Sequence, residues 1–320
     1  MKKLRAAVIG VGYLGNFHAQ KFAALDSVEL VAVSDSDPAR CREIAAQIGT
    51  TAVADYRQLV GNVDLVSIVV PTVMHHDVAA FFLQHGVHVL LEKPITTTVA
   101  EAKNLIAIAA KNNLVFQVGH LERFNPALDA VRGILARPGF IDATRVAPYK
   151  PRGTDVSIVL DLMVHDLDII RTIIDSEVKT ISASGACVYS STPDIANARI
   201  EFENGAVANV TASRISLQGE RSIRFFQNDA YIAVDFQNRT ASVCRKGEVD
   251  PSSGVPVPAV EEITVPQRDQ ILAEIEAFID SALTGKPAVV SGQDGMKALE
   301  IALLIEEKIN ENTSVLQAGA

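Results

Sequence analysis

The sequence predicts an α/β protein. A doubly wound parallel sheet comes first, and an α+β domain with a large, predominantly antiparallel sheet follows. Three observations carry this prediction. Up to about residue 121, short apolar runs alternate with stretches of helical periodicity. The first of those runs feeds directly into a glycine-rich turn. Between residues 178 and 265 the pattern changes to β runs joined by turn signals such as Gly205 and Asn228-Asp229. The expected domains are residues 1–121 and 122–320.

In the first domain, Ala6-Ala7-Val8-Ile9 reads as a buried strand that enters Gly10-Val11-Gly12-Tyr13-Leu14-Gly15. This is a G-x-G-x-x-G loop. Its first glycine permits the tight strand-to-helix turn, its second lets a pyrophosphate approach the backbone, and its third lets helix and strand pack closely. The helix that opens at Tyr13 presents unpaired amides and a positive dipole end to the phosphates. The next apolar run, residues 28–33, ends at Ser34-Asp35, and Asp35 lies twenty positions past Gly15. An acid there grips the adenosine ribose hydroxyls. Its charge repels a 2′-phosphate, so NAD is expected rather than NADP.

The remaining elements follow in order. Helices are expected at 13–25, 38–48, 76–84 and 99–110, with a helical turn at 56–60. Near-continuous apolar runs at 65–70, 87–91 and 114–118 read as buried parallel strands. Ligands of such a sheet bind at the carboxyl ends of the strands, where Gly10, Asp35, Pro71 and Lys93 all fall. In the second domain, helices are expected at 126–136 and 158–174. Strands are expected at 179–189, 196–202, 206–213, 222–227, 230–235 and 240–245. Residues 250–258, rich in Pro, Gly and Ser, read as a loop, and two helices, 270–283 and 293–309, close the chain.

Composition narrows the function classes. A net charge of -9 argues against nucleic acid or an anionic membrane as partner. No apolar stretch approaches the length of a membrane span. The basic start followed by an apolar run imitates a signal peptide, but that run is already the first strand of the nucleotide site. Cys41, Cys187 and Cys244 show neither a disulfide framework nor zinc spacing, which fits a reducing cytoplasm.

Three stretches carry candidate chemistry. Glu92-Lys93-Pro94 ends a strand at the cofactor edge. Lys93 there can bind a sugar hydroxyl and the nicotinamide ribose and relay a proton, or it can be a solvated strand-end lysine. Asp161, His165 and Asp168 sit at i, i+4 and i+7 of an otherwise apolar helix. A carboxylate one turn before a histidine orients the ring and stabilises its protonated form, which suits a general base. A structural Asp–His hydrogen bond is a second reading. A metal site is a third, but it needs further ligands that the spacing does not supply, and no metal is expected. The stretch from Gly119 to Pro126 mixes charge, amide and aromatic groups at the domain junction, with Arg123 and Asn125 as candidate substrate contacts. Lys150 and Arg152 form a basic loop before the histidine helix. Cations placed so in an acidic protein point to a ligand with negative charge, for which Arg is well suited. Pro71, Thr72 and His75 follow another strand end and are expected to line the cofactor cleft.

Taken together these motifs resemble the Gfo/Idh/MocA oxidoreductases over essentially the whole length. The resemblance rests on the glycine loop with His18 after it, Asp35, Pro71-Thr72 with His75, Glu92-Lys93-Pro94 and Asp161-x-x-x-His165. It implies a Rossmann domain that binds NAD through Gly10, Gly12, Tyr13, Leu14, Gly15, Asp35, Pro71, Thr72, His75, Glu92 and Lys93. It also implies oxidation or reduction of a sugar or cyclitol carbon, with Lys93, Asp161 and His165 as the catalytic set. Which of Lys93 and His165 is the base stays open. Met163 departs from the family, many members of which carry Gly between the Asp and the His. Residues 123–126 and 162–168 look most like the subgroup that oxidises the 3-hydroxyl of UDP-N-acetylglucosamine. A dehydrogenase of a free sugar or inositol is one alternative, and a non-catalytic dinucleotide-binding sensor on the same fold is another. The family also commonly associates through its second domain, so a homodimer or homotetramer is expected.

Overall fold

The computed structural model describes residues 3–149 and 156–318, with side chains to residue 312. The chain divides into two compact units, one of Met1–Leu121 with Asp269–Leu299, the other of Glu122–Arg268 with Glu300–Ala320. This differs from a single boundary after residue 121, because the chain returns to the first unit near its end.

In the first unit, β1 (Leu4–Ile9), α1 (Tyr13–Ala24), β2 (Val28–Ser34), α2 (Pro38–Ile48), β3 (Thr51–Val53), β4 (Leu65–Ile68), α3 (His75–Gln84), β5 (His88–Glu92), α4 (Val99–Lys111) and β6 (Phe116–Gly119) alternate along the chain. The strands form one sheet in the order β3-β2-β1-β4-β5-β6, parallel throughout. Every residue of β4 and β6 is buried, which explains their mainly apolar character, broken by Ser67 and Gln117. The helix ends are set locally. Asp37 caps α2 by accepting the Ala39 and Arg40 amides, and Gly49 ends it at φ 79°. Thr98 and Glu101 form a reciprocal capping box on α4.

The second unit holds α5 (Pro126–Arg132), β7 (Phe140–Val146), α6 (Val164–Ile173), β8 (Val178–Ala186), β9 (Ile195–Phe202), β10 (Val207–Ser213), β11 (Glu220–Gln227), β12 (Ala230–Asp235), β13 (Thr240–Val249) and β14 (Pro256–Ile263). Their sheet runs β14-β13-β12-β11-β7-β10-β9-β8. It is antiparallel except where β10 pairs parallel with β7. One face buries Ile141, Val210, Phe225, Ile232 and Val243 in a core shared with Leu167 and Ile170 of α6. The chain then adds α7 (Gln270–Thr284) and α8 (Gly292–Ala318). Ile275, Phe278 and Ile279 of α7 belong to the core that packs on β1 and α1 of the first unit. Ile301, Ala302, Ile305 and Ile309 of α8 belong to the core of the second.

Three strands were not anticipated from the sequence. β3 is only three residues long. β7 alternates inward and outward, but one inward position is Arg145, so its apolar pattern is interrupted. β14 is an exposed edge strand with Pro256 and Pro258, and its composition reads as loop. Among the described residues, no helix is long and apolar enough to cross a membrane.

Candidate active site

Within the first unit the glycine loop is shaped by three different demands. Gly10 has φ +85°, and a Cβ there would lie 2.3 Å from the Val69 carbonyl oxygen. A Cβ on Gly15 would lie 1.9 Å from the Gly10 oxygen. Both glycines are required by the fold itself. At Gly12 a Cβ would meet nothing within 4 Å, so the fold itself does not require glycine there. That open space at the N-cap of α1 fits a pyrophosphate lying against the backbone. The loop therefore passes a structural test for a dinucleotide.

Asp35 is fixed beside it. Its Oδ2 accepts the Val11 amide at 2.7 Å and its Oδ1 accepts the Asp37 amide at 2.9 Å. Arg40 donates through Nε to the Val11 carbonyl at 3.1 Å and through Nη1 to Glu43 at 3.0 Å. A cavity of ≈ 450 Å³ opens here, lined by Gly10, Gly12, Asp35, Tyr56, Arg57, Pro71 and Met74 among others. Tyr56, Arg57 and Met74 were missed by sequence reasoning. They come from short turns whose composition carries no motif, although the Arg57 guanidinium lies over the Tyr56 ring at 4.8 Å. Tyr13 is exposed at the helix start, and Leu14 and Thr72 are half-buried.

His75 is placed differently from the expectation of a cleft-lining side chain. It is buried, with Nδ1 2.8 Å from the Pro94 carbonyl and Nε2 2.9 Å from the Val70 carbonyl. Burial holds its pKa below the usual imidazole range, against the pull of those carbonyls. Its ring ties the end of β4 to the segment after Lys93. Glu92 is likewise turned inward, at 8% exposure. Its Oε2 accepts the Lys93 amide at 3.2 Å, and the Lys93–Pro94 peptide is cis. Lys93 itself is half-buried.

In the second unit, Asp161 lies within a π-helical turn, Val159–Met163, that leads directly into α6. Wide turns of this kind occur often at functional sites. The widened turn splits the stripe expected from regular helical spacing. Asp161 and His165 are half-buried, while Asp168 is 1% exposed. Arg123 Nε and Nη2 donate to the two Asp168 oxygens at 2.7 and 2.9 Å. This bidentate pair corrects the expectation that the Arg123 charge is left over for a ligand phosphate: Asp168 already neutralises it. Asn125 is also engaged within the fold. Its Oδ1 caps α5 through the Ala127 amide, and its Nδ2 donates to Glu122 at 3.0 Å. Lys150 and Arg152 lie outside the described residues.

A buried network that the sequence did not reveal supports this region. Arg145 bonds both oxygens of Asp166 at 2.9 and 2.8 Å and reaches Glu122 at 2.8 Å. Burial works against the Arg145 charge, but the two carboxylates outweigh it and push its pKa up. Arg145 therefore ties β7 to α6, the helix that carries His165.

The arrangement matches known proteins in both halves. Residues 4–120 match the model of the oxidoreductase family with an NAD-binding Rossmann fold, and residues 130–234 match the GFO/IDH/MocA C-terminal domain. The UDP-N-acetylglucosamine 3-dehydrogenase of Acidithiobacillus ferrooxidans is 38% identical over 306 residues, 95% of this chain and 97% of that protein. The chain belongs to the Gfo/Idh/MocA family. It is thus an NAD-dependent oxidoreductase. A solved structure of the A. ferrooxidans enzyme superposes with a TM-score of 0.90, at 36% identity and covering 97% and 98% of the two chains. The myo-inositol 2-dehydrogenase of Thermotoga maritima, another relative, is 27% identical over 98% of each chain. In the terms of this family, the cavity beside Gly12 and Asp35 is where the residues fit the cofactor.

Proposed function

We propose that the protein oxidises the 3-hydroxyl of UDP-N-acetylglucosamine, with Lys93, Asp161 and His165 as its catalytic set. The observation that carries the substrate is the similarity to the A. ferrooxidans dehydrogenase, which extends over 95% of the chain. NAD, when bound, supplies the hydride acceptor. The side chains do the rest. His165 takes the proton of the hydroxyl as the carbon–oxygen bond gains double-bond character. Asp161, one turn earlier in the sequence, orients the ring and supports the imidazolium that forms. The Lys93 ammonium binds the reacting oxygen and stabilises its developing negative charge. Arg123 takes no part in binding the diphosphate, because Asp168 holds its guanidinium. Lys150 and Arg152 are the cations assigned to it.

The test is turnover, followed by nicotinamide absorbance, with UDP-N-acetylglucosamine, N-acetylglucosamine and myo-inositol side by side. The nucleotide sugar is expected to react with the highest kcat/KM. Efficient reaction of either free compound with no gain from the nucleotide would discard the substrate while leaving the oxidoreductase intact. Myo-inositol is the informative competitor, since the T. maritima relative is named for it.

A further inference from the structure

The first unit buries a second group of titratable side chains that neither the cofactor cavity nor the proposed chemistry uses. His18 of α1, Glu92 of β5 and Glu274 of α7 place one imidazole nitrogen and two carboxylate oxygens within 4.8 Å of one another. Their exposures are 1%, 8% and 0%. They are unequally provided with partners. Glu92 Oε2 accepts the Lys93 amide at 3.2 Å, and Oε1 lies 3.4 Å from His18 Nε2, off the direction of a hydrogen bond. The same carboxyl rests on Gly119, where a Cβ would come within 2.8 Å of Oε1. His18 Nδ1 is 2.9 Å from Ser67 Oγ. Glu274 has no such support: both its oxygens are buried without a hydrogen-bond partner. Gln117 donates to the Glu274 backbone carbonyl at 3.1 Å, and its own side-chain oxygen is buried without a partner.

A buried carboxylate with no donor is strongly disfavoured, and a second carboxylate close by disfavours it further. The charged groups around it offer little relief. Lys21 of α1 pairs with Asp269 at 2.7 Å. His75 feels the Glu92 charge but is itself held toward its neutral form by burial. His18 faces Glu92, and Lys93 follows Glu92 in the chain. A proton on Glu274 removes both penalties and turns an unsatisfied acceptor into a donor.

We propose that Glu92 and Glu274 form a one-proton site with the proton on Glu274, so that Glu274 is a positioning residue for Lys93, acting through Glu92. The site stands on geometry alone; its bearing on turnover rests on the role given to Lys93 above. Burial first, and the Glu92 charge second, push the Glu274 pKa well above the usual carboxylate range. The folded state then keeps a proton that the unfolded state releases as pH rises through the normal glutamate range. Stability is full below that range and declines as pH rises toward the folded pKa.

The experiment compares thermal melting of the full-length wild type, Glu274→Gln and Glu274→Leu between about pH 5 and pH 9. Gln keeps the donor and the shape but cannot ionise. Glu274→Gln is expected to melt higher than wild type at the alkaline end, by about 2 °C or more, and to show a flatter pH dependence. In turnover, wild-type kcat is expected to hold while Tm falls and to decline on the alkaline side only where the fall in Tm levels off, since that is where the native state loses the Glu274 proton. Glu274→Gln should remove that limb, while Glu274→Leu, which fills the space without a donor, should lower kcat throughout. A Glu274→Gln variant that melts below wild type across the whole range would overturn the proposal, since Glu274 would then be ionised in the native state. A wild-type Tm raised by added Zn²⁺ or Mn²⁺ and lowered by chelator, with no such response in Glu274→Gln, would put a cation there and overturn it as well. If melting behaves as expected but Lys93→Ala retains turnover, the one-proton site stands and the positioning role falls with the catalytic reading.

Discussion

Arg123 and Asp168 face each other with 9% and 1% exposure, and desolvation decides what happens when one is removed. Arg123→Ala leaves the Asp168 charge buried without its bidentate partner, a change that costs about 3–5 kcal/mol. Urea unfolding should register that loss, while the Kd for NAD stays near the wild-type value. Lys93 and His165 are half-buried, so their truncation should behave in the opposite way. Lys93→Ala and His165→Ala are expected to lower kcat about 10²–10⁴-fold with little change in Tm. A variant of either that unfolds would mark that residue as structural. The sequence could not separate these two kinds of charge. Arg123 and Asp168 are 45 positions apart, and nothing local says that one neutralises the other. Glu92, Lys93, Asp161 and His165 stand out in the sequence because they fall in short motifs at a strand end and on a helix. The inward turn of Glu92 does not, since it depends on Gly119 and on a helix far along the chain.

The glycine loop shows how one short segment separates folding from binding. A Cβ on Gly15 collides with the backbone of the same loop, whereas a Cβ on Gly12 meets no protein atom. Gly15→Ala should therefore lower both Tm and NAD affinity. Gly12→Ala should keep Tm near wild type while weakening NAD binding by about tenfold or more, as isothermal titration would show. Equal loss of Tm in both variants would contradict this division. The loop, its flanking strands and the parallel sheet were readable because buried strands and amphipathic helices leave strong periodic signals. The elements that were missed lack that signal for physical reasons. β7 carries a buried arginine, β14 lies at a sheet edge with two prolines, and β3 has three residues. The π turn before α6 is invisible in the same sense: side-chain spacing that predicts a single stripe cannot report an extra residue in the turn.

At the scale of the whole molecule, the large sheet has one face in the core and another that carries Phe140, Phe226 and Tyr231. Ring centroids there lie 5.5 Å and 5.0 Å apart, and Phe226 is 39% exposed. We propose that this face joins copies of the chain into a dimer or tetramer. Light scattering at micromolar concentration should give at least twice the 34.3 kDa mass of one chain, and Phe226→Arg should shift it toward the monomer. A wild-type monomer would rule the interface out. The return of α7 to the first unit has a separate consequence, for the order of biosynthesis. Residues 1–121 contain every strand of the first sheet, yet Ile275, Phe278 and Ile279, which complete its core, leave the ribosome some 150 residues later. At roughly 5–20 residues per second, the nascent sheet waits on the order of ten seconds or more with an apolar patch beside β1 and α1 open to water. During that interval residues 1–121 carry an incomplete core, and a stop codon placed before α7 would leave it incomplete permanently.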